Sequence, residues 1–534
     1  MTHSILAQAA DSINYTPFYI LAAGVAFVLF TIIKLRLHPF LGLTLGAILV
    51  GLLTPVLPEL TLANGFWEDK EGQSRFLKSI NWSMSGFGTL VGKIGFVIAM
   101  AAIIGMCMLE SGAADKIVRR LMESLGEDRA SWAMLLSGFI LSIPVFFDTV
   151  FFLLIPLARA LALRTGKNYT LYVCAICGGG AITHTIVPPT PGPLIIAENI
   201  GRPAGEAIIA GLCAAIIPVL VVMWMARRLN ASVNVPLRET KGASLKELEA
   251  VVNKKDDELP SFGMSILPVI VPVVLISTVT FIGLFKKFGL TVPAGMMTGL
   301  EFIGDKNLAM MLGAIIAMYT LAKQRGWTLA KMGESMSTPL ETAGVIILIT
   351  GAGGAFGAMI AKTGLRGTIE ELGRSSNSEG GMNTIGLLLI AWVLTAVIRA
   401  AQGSATVSMI TGSSIMAPII ASGLEQGWLG CHPIYFCLII GFGAFPLSWM
   451  NDSGFWVVQR MSGFTEKETL QTWTKLLTAI GIVGLVQTLI FATVLPLKIT
   501  QSDESKPTKK SSVIISPTQT AQFHQHSGGF ARTR

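Results

Sequence analysis

Apolar residues gather along the chain into runs of about 20, the length of helix that crosses a bilayer core. Such runs lie near 18–35, 39–57, 86–109, 169–195, 205–226, 264–285, 308–322, 341–361, 432–456 and 474–497. Two further apolar stretches, 132–157 and 384–421, carry breaking residues in their middles. These are Pro144 through Thr149 in the first and Ala401-Gln402-Gly403-Ser404 in the second. The pattern predicts an all-α polytopic membrane protein with about ten spanning helices and two interrupted segments.

Basic residues orient the chain. Lys34 and Arg36 close the first run, Lys116, Arg119, Arg120 and Arg129 fill 111–130, and Arg227, Arg228, Arg238, Lys241, Lys246, Lys254 and Lys255 fill 227–262. The positive-inside rule puts all three on the cytoplasmic side. Arg159, Arg164 and Lys167 follow 132–157, so both flanks of that stretch face the cytoplasm and it is expected to be a re-entrant hairpin. Counting spans makes 384–421 a hairpin from the opposite side and leaves both termini outside.

An internal repeat supports this division. Gly92, Gly105 and Gly112 match Gly344, Gly357 and Gly364 at one constant offset of about 252 residues. Each set is followed by a polar amphipathic stretch, a hairpin and a broken span, and the two copies are expected to run in opposite directions. Inverted repeats with broken helices mark secondary transporters, with the site near mid-membrane at the repeat interface. The expected organisation is an N-terminal tail 1–17, a first repeat 18–226, a cytoplasmic linker 227–262, a second repeat 263–497 and a polar tail 498–534. The Ser/Thr-rich tail is expected to be disordered.

Composition agrees. Of 534 residues, 52% are hydrophobic and only 13% charged, against about 25% charged in soluble proteins. This excludes a disordered chain, a nucleic-acid-binding domain and an ordinary soluble enzyme. The net charge of +8 sits in short loops and signals no nucleic-acid partner. The 56 Gly and 24 Pro are too many for straight helices and suit broken ones. Cys174-x-x-Cys177 has redox spacing but lies in a membrane segment without a second pair, so neither zinc nor another metal is implied.

Four breaks carry the candidate chemistry: 144–149, 183–193, 399–406 and 448–454. Unwound backbone cannot face lipid, so each break must face protein, water or a ligand. Half-helix N-termini there offer N–H groups and a positive dipole end to an anionic carboxylate. Arg399 suits a carboxylate clamp; pairing with an internal acid is the alternative. Asp148 and Asp452 are intramembrane carboxylates, and such groups in apolar surroundings suit proton uptake. Helix capping is the alternative, above all for Asp452 in Asn-Asp-Ser-Gly. His184 suits a proton relay or is a neutral core histidine. Ser404, Thr406, Ser408, Thr183, Thr190 and Ser453 supply hydroxyls that would suit a polyhydroxylated substrate, helix packing being the alternative for each, and Thr149, Gly192, Gln402 and Asn451 in the same breaks complete the substrate candidates. Glu198, Glu110 and Lys93 read as interfacial.

At these motifs the sequence resembles the gluconate permease (GntP) family within the broader ion transporter superfamily. The strings are FFDTVFFLLIPLA at 146–158, THTIVPPTPGP at 183–193, LITGAGGAFGAMI at 348–360, RAAQGSATVSMIT at 399–411 and NDSGFWV at 451–457. The resemblance implies a multi-pass inner-membrane proton symporter for gluconate or a related hydroxy acid, D-serine being one possibility. It further implies alternating access of elevator type, a homodimer and no cofactor. Carried over by motif, Asp148, His184, Arg399, Gln402, Ser404, Thr406, Asn451, Asp452 and Ser453 form its site, with Asp148, His184 and Asp452 handling protons. Two positions depart from the family pattern: Thr190 stands where a His is usual, and Thr149-Val150 where Val-Gly is usual. A sodium symporter keeps the fold and changes the coupling ion. A channel would need a continuous polar path, and an intramembrane enzyme would need a nucleophile–base pair or metal cluster, for which no HExxH, GxSxG or Cys/His cluster stands in the sequence.

Overall fold

Apolar helix formers run uninterrupted for long stretches of this chain, and helices result. The computed structural model describes residues 14–61, 69–70, 72–233, 235–238, 258–287, 293–365, 367–368, 384–425, 427–450 and 452–497. In order they form α1 (Thr16–Leu29), α2 (Pro39–Leu53), α3 (Arg75–Ser111), α4 (Ala113–Leu125), α5 (Ala130–Leu141), α6 (Phe147–Thr165), α7 (Tyr169–Ile186), α8 (Pro191–Ile200) and α9 (Ala204–Val233). Then come α10 (Phe262–Lys287), α11 (Ala294–Ile303), α12 (Lys306–Arg325), α13 (Leu329–Ser335), α14 (Ser337–Ala361), α15 (Thr384–Gln402), α16 (Ala405–Glu425), α17 (Ile434–Gly443), α18 (Ser453–Ser462), a short turn Glu466–Thr469 and α19 (Lys475–Val494). The chain up to Pro496 is one compact unit. The polar tail 498–534 lies outside the described residues.

The number of spans is smaller than expected. Among the described residues seven helices are long and apolar enough to cross a membrane, or eight if α11 and α12, bent by 55°, count as one. The difference lies in short helices within long apolar runs. α2 has 15 residues and rises only about 22 Å, short of a hydrocarbon core of about 30 Å. α17, with 10 residues, is shorter still. The linker also begins later than expected, because α9 continues to Val233.

Helix ends fall where the sequence breaks. Thr165 is followed by Gly166 at φ 66° and Ile200 by Gly201 at φ 74°, both left-handed caps. Pro191 opens α8 at a position that needs no N–H donor. α15 and α16 are separated by Gly403 at φ 76°.

The centre of the molecule is the contact of α3 with α14. The helices run antiparallel, with Gly95 facing Ile347 and Gly86 facing Ala358. Backbones nearly touch where they cross: a Cβ on Gly354 would lie 2.6 Å from Leu90 Cβ and 3.0 Å from the Gly86 carbonyl. Membrane helices gain little from burying apolar area against each other, so close packing of small residues does this work.

The three glycine pairs aligned in the sequence are placed as follows. Gly92 and Gly344 both face open space. Gly105 abuts Val145, just before α6, and Gly357 abuts the Ser414 carbonyl on α16, at 3.2 and 3.1 Å from a built Cβ. Gly112 and Gly364 both adopt positive φ, 77° and 83°, beyond the ends of α3 and α14.

Gly354→Leu is expected to push α3 and α14 apart and lower stability by at least about 1–3 kcal/mol. Gly92→Ala, at an open position of the same contact pair, should be neutral or stabilising by about 0.5–1 kcal/mol. Thermal unfolding of the two purified variants in detergent checks both signs.

Candidate substrate site

Three helices begin at one place. α6 starts at Phe147, α16 at Ala405 and α18 at Ser453, and the first residues of all three line a single cavity of about 490 Å³. Each start has a sequence cause. Phe146 leaves the helical region before α6 with no side-chain cap. Ser404 accepts a hydrogen bond from the Val407 N–H at 3.3 Å, after Gly403 has turned the chain. Asp452 caps α18 by accepting from the Gly454 N–H at 3.0 Å. The C-terminal ends of α7 and α17 reach the same cavity through Thr185 and Ala444.

Arg399 and Asp452 meet there. The guanidinium donates from Nη2 to Asp452 Oδ2 at 2.5 Å, and both side chains are almost fully buried. So Arg399 is paired with an internal acid, and Asp452 is both its partner and a helix cap. Ser448 Oγ also donates to Asp452 Oδ2 and accepts from the Trp473 indole N–H at 2.7 Å. Thr474 Oγ1 donates to the Ser448 carbonyl at 2.5 Å. The Trp473 ring packs 5.1 Å from that of Phe147. Four separate segments are thereby held in one arrangement. Arg399 Nε and Nη1 are buried without an acceptor.

Of the residues singled out in the sequence, Asp148, Thr149, His184, Arg399, Ser404, Thr406, Asp452 and Ser453 line this cavity. Asp148 lies in the first turn of α6 and has no hydrogen-bond or ion-pair partner among the described residues. His184 Nδ1 is buried and likewise unpartnered, its ring 6.2 Å from that of Phe146. Thr190 is elsewhere: its hydroxyl donates to the Val187 carbonyl at 2.7 Å and so completes the turn between α7 and α8. Gly192 is elsewhere too. A Cβ there would lie 2.1 Å from Met409 Cε, so it permits the contact of α8 with α16. Gln402 does not line the cavity, and its amide is buried without partners. Asn451 lies outside the described residues.

Lining residues that lie outside the four breaks include Thr342, from α14, and Trp473, from the π-helical turn Leu470–Thr474 that leads into α19. A Trp in the polar stretch before an apolar run gives no sign of a buried hydrogen-bonding role, and only the structure supplies its partner. Lys93 and Glu198, expected at an interface, form an ion triad with Lys306. Glu198 on α8 lies 3.2 Å from Lys93 on α3 and 2.6 Å from Lys306 on α12. All six cysteines are free thiols, with Cys174 and Cys177 buried.

Residues 16–494 match the GntP family permease. The chain belongs to the GntP permease family. It is 32% identical over 466 residues to a gluconate permease of Pseudomonas aeruginosa, covering 87% of this chain and 95% of that one. It is 30% identical over 463 residues to the low-affinity gluconate transporter of Escherichia coli, with 87% and 95% covered. Among solved structures it resembles the YdaH transporter of Alcanivorax borkumensis, with TM-score 0.56, 15% identity and 87% and 100% of the two chains covered. It also resembles MtrF of Neisseria gonorrhoeae, with TM-score 0.53 and 12% identity over 87% and 96%. This GntP permease is a multi-pass inner-membrane transporter and not an enzyme.

Removing one member of the Arg399–Asp452 pair leaves the other charge buried alone. Arg399→Gln or Asp452→Asn is expected to cost about 3–5 kcal/mol each, and the double variant R399Q/D452N clearly less than their sum. Unfolding of the four proteins in one detergent measures the coupling.

Proposed function

We propose that this GntP permease is a secondary active transporter that imports gluconate or a related small hydroxy-carboxylate by proton symport. One observation carries the reading: three helix N-termini and Arg399 converge on one cavity. Each helix start presents roughly half a positive charge, which suits a carboxylate. The volume of about 490 Å³ falls in the usual range of small-molecule sites, about 300–1,000 Å³. In this reading the substrate carboxylate takes Arg399 Nε and Nη1 and the free N–H groups of α16 and α18. Its hydroxyls take Thr149, Ser404, Thr406 and Ser453. The names of the relatives favour gluconate.

Charge balance supports the coupling. Arg399 and Asp452 cancel each other, which leaves Asp148 as the unpaired ionisable acid of the cavity. With Asp148 ionised, an entering anion meets a like charge; with Asp148 protonated, it does not. Proton and anion therefore favour each other's binding, which is the thermodynamic condition for symport. His184 passes the proton to or from Asp148. Asp452, tied to Arg399, Ser448 and Gly454, enters the cycle only if substrate displaces it from Arg399.

Alternating access then works on two inverted repeats, each with a re-entrant hairpin (α5–α6 and α15–α16) and a broken helix (α7–α8 and α17–α18). The constant offset of Gly92/Gly344, Gly105/Gly357 and Gly112/Gly364 favours that division. An elevator-type movement would slide these elements against α3 and α12, along the seam where Lys93 and Lys306 hold Glu198. The homodimer belongs to this reading through the family resemblance.

Purified protein in proteoliposomes, given an inward pH gradient and no sodium, should accumulate labelled gluconate, and a protonophore should abolish the accumulation. Silence until sodium is added would replace the proton by sodium. Uptake of D-serine or another hydroxy acid in place of gluconate would move the substrate and keep the mechanism.

Asp148→Asn is expected to abolish uphill accumulation while exchange of internal for external substrate continues. Uphill uptake retained in that variant would remove Asp148 from the coupling.

A further inference from the structure

Away from the central cavity, a second recess of about 440 Å³ opens on the outer surface between α5 and α9. It is lined by Trp132, Leu220, Met223, Trp224, Arg227 and Arg228. Its chemistry is graded along α9. Ile216, Leu220 and Trp224 are 61%, 56% and 58% exposed, and they continue as an apolar strip from the recess towards the middle of the helix. At the other end stand Arg227 and Arg228, both exposed. Neither has a carboxylate partner among the described residues. The Arg228 guanidinium lies 4.9 Å from the centre of the Trp224 ring, a cation–π contact that holds it at the rim.

Tryptophan is enriched at the level of the lipid headgroups, and Trp132 near the start of α5 and Trp224 on α9 both line the recess. Two unpaired guanidiniums at that level, above an open apolar groove, complement a phosphate with acyl chains beneath it. Arginine forks bind phosphate oxygens bidentately, and basic pockets between membrane helices bind anionic headgroups. Arg227 and Arg228 lie more than a turn before the end of α9 at Val233, so the helix dipole does not account for them, and the groove beneath them has no use in helix capping.

We propose that the recess between α5 and α9 is a binding site for one anionic phospholipid, its phosphate on Arg227 and Arg228 and an acyl chain along Trp132, Leu220 and Trp224. The site is separate from the transport cavity and independent of which substrate the protein carries. A zwitterionic lipid fits the groove but brings its own cation to the two arginines, so it binds more weakly.

Native mass spectrometry of the full-length protein, titrated with phosphatidylglycerol or with phosphatidylcholine of the same acyl chains, tests this. The wild type should bind the first phosphatidylglycerol about tenfold more tightly than phosphatidylcholine. R227Q/R228Q should lose that preference. Lys34→Gln, which removes an exposed cation at the end of another helix, should keep it. Trp224→Ala should weaken phosphatidylglycerol binding while leaving the protein folded. Equal binding of the two lipids by the wild type would overturn the proposal. So would a preference that survives in R227Q/R228Q, or one that falls equally in Lys34→Gln.

Discussion

The arrangement of the central cavity depends on one buried ion pair. Arg399 ends α15 and Asp452 begins α18, and neither charge is tolerable alone in an apolar interior. Their contact fixes the relative position of the two elements, together with the Trp449 indole N–H, which donates to the Ala400 carbonyl of α15 at 3.1 Å. Ser448 donates to the same carboxylate oxygen and is itself held by the Trp473 indole N–H, and Phe147 against Trp473 brings in the start of α6. An ion pair of this kind adds little net stability over a well-packed apolar pair. Its contribution here is position: it sets three helix starts around one volume.

The same constraint explains the broken helices. A helix that stops inside the membrane exposes N–H and C=O groups that lipid cannot satisfy. In this protein the interruptions sit side by side, so the loose ends share one polar interior. Local caps satisfy part of the demand: Ser404 for α16, Asp452 for α18 and Thr190 for the turn before α8. What the caps leave unsatisfied is available to a ligand.

Much of this was legible in the sequence because breaks in apolar runs are conspicuous. Asp148, His184, Arg399, Ser404 and Asp452 were found from that signal alone, and they share the cavity. Distance along the chain limited the rest. The partner of Arg399 lies 53 residues away, and no local pattern distinguishes Asp452 from a plain helix cap. Thr190 and Gly192 lie in the same kind of break as the lining residues, yet one closes a turn and the other admits Met409. Thr342 and Trp473 lie in no break and gave no signal. The span count came out high for a different reason: an apolar run does not show where its helix stops, and α2 and α17 are short helices inside long apolar runs.

The separation of Arg399 from Asp452 also bears on how the protein is made. The arginine leaves the ribosome 53 residues before its partner, an interval of about 3–10 s at ordinary translation rates. During that time a guanidinium has been delivered towards the membrane with no counter-ion in its final place. It must wait at the headgroup level, its long side chain reaching outward, or be shielded by the insertion machinery. Arg399 can gain its buried counter-ion only after Asp452 has been synthesised, so the central cavity cannot be complete before α18 is made.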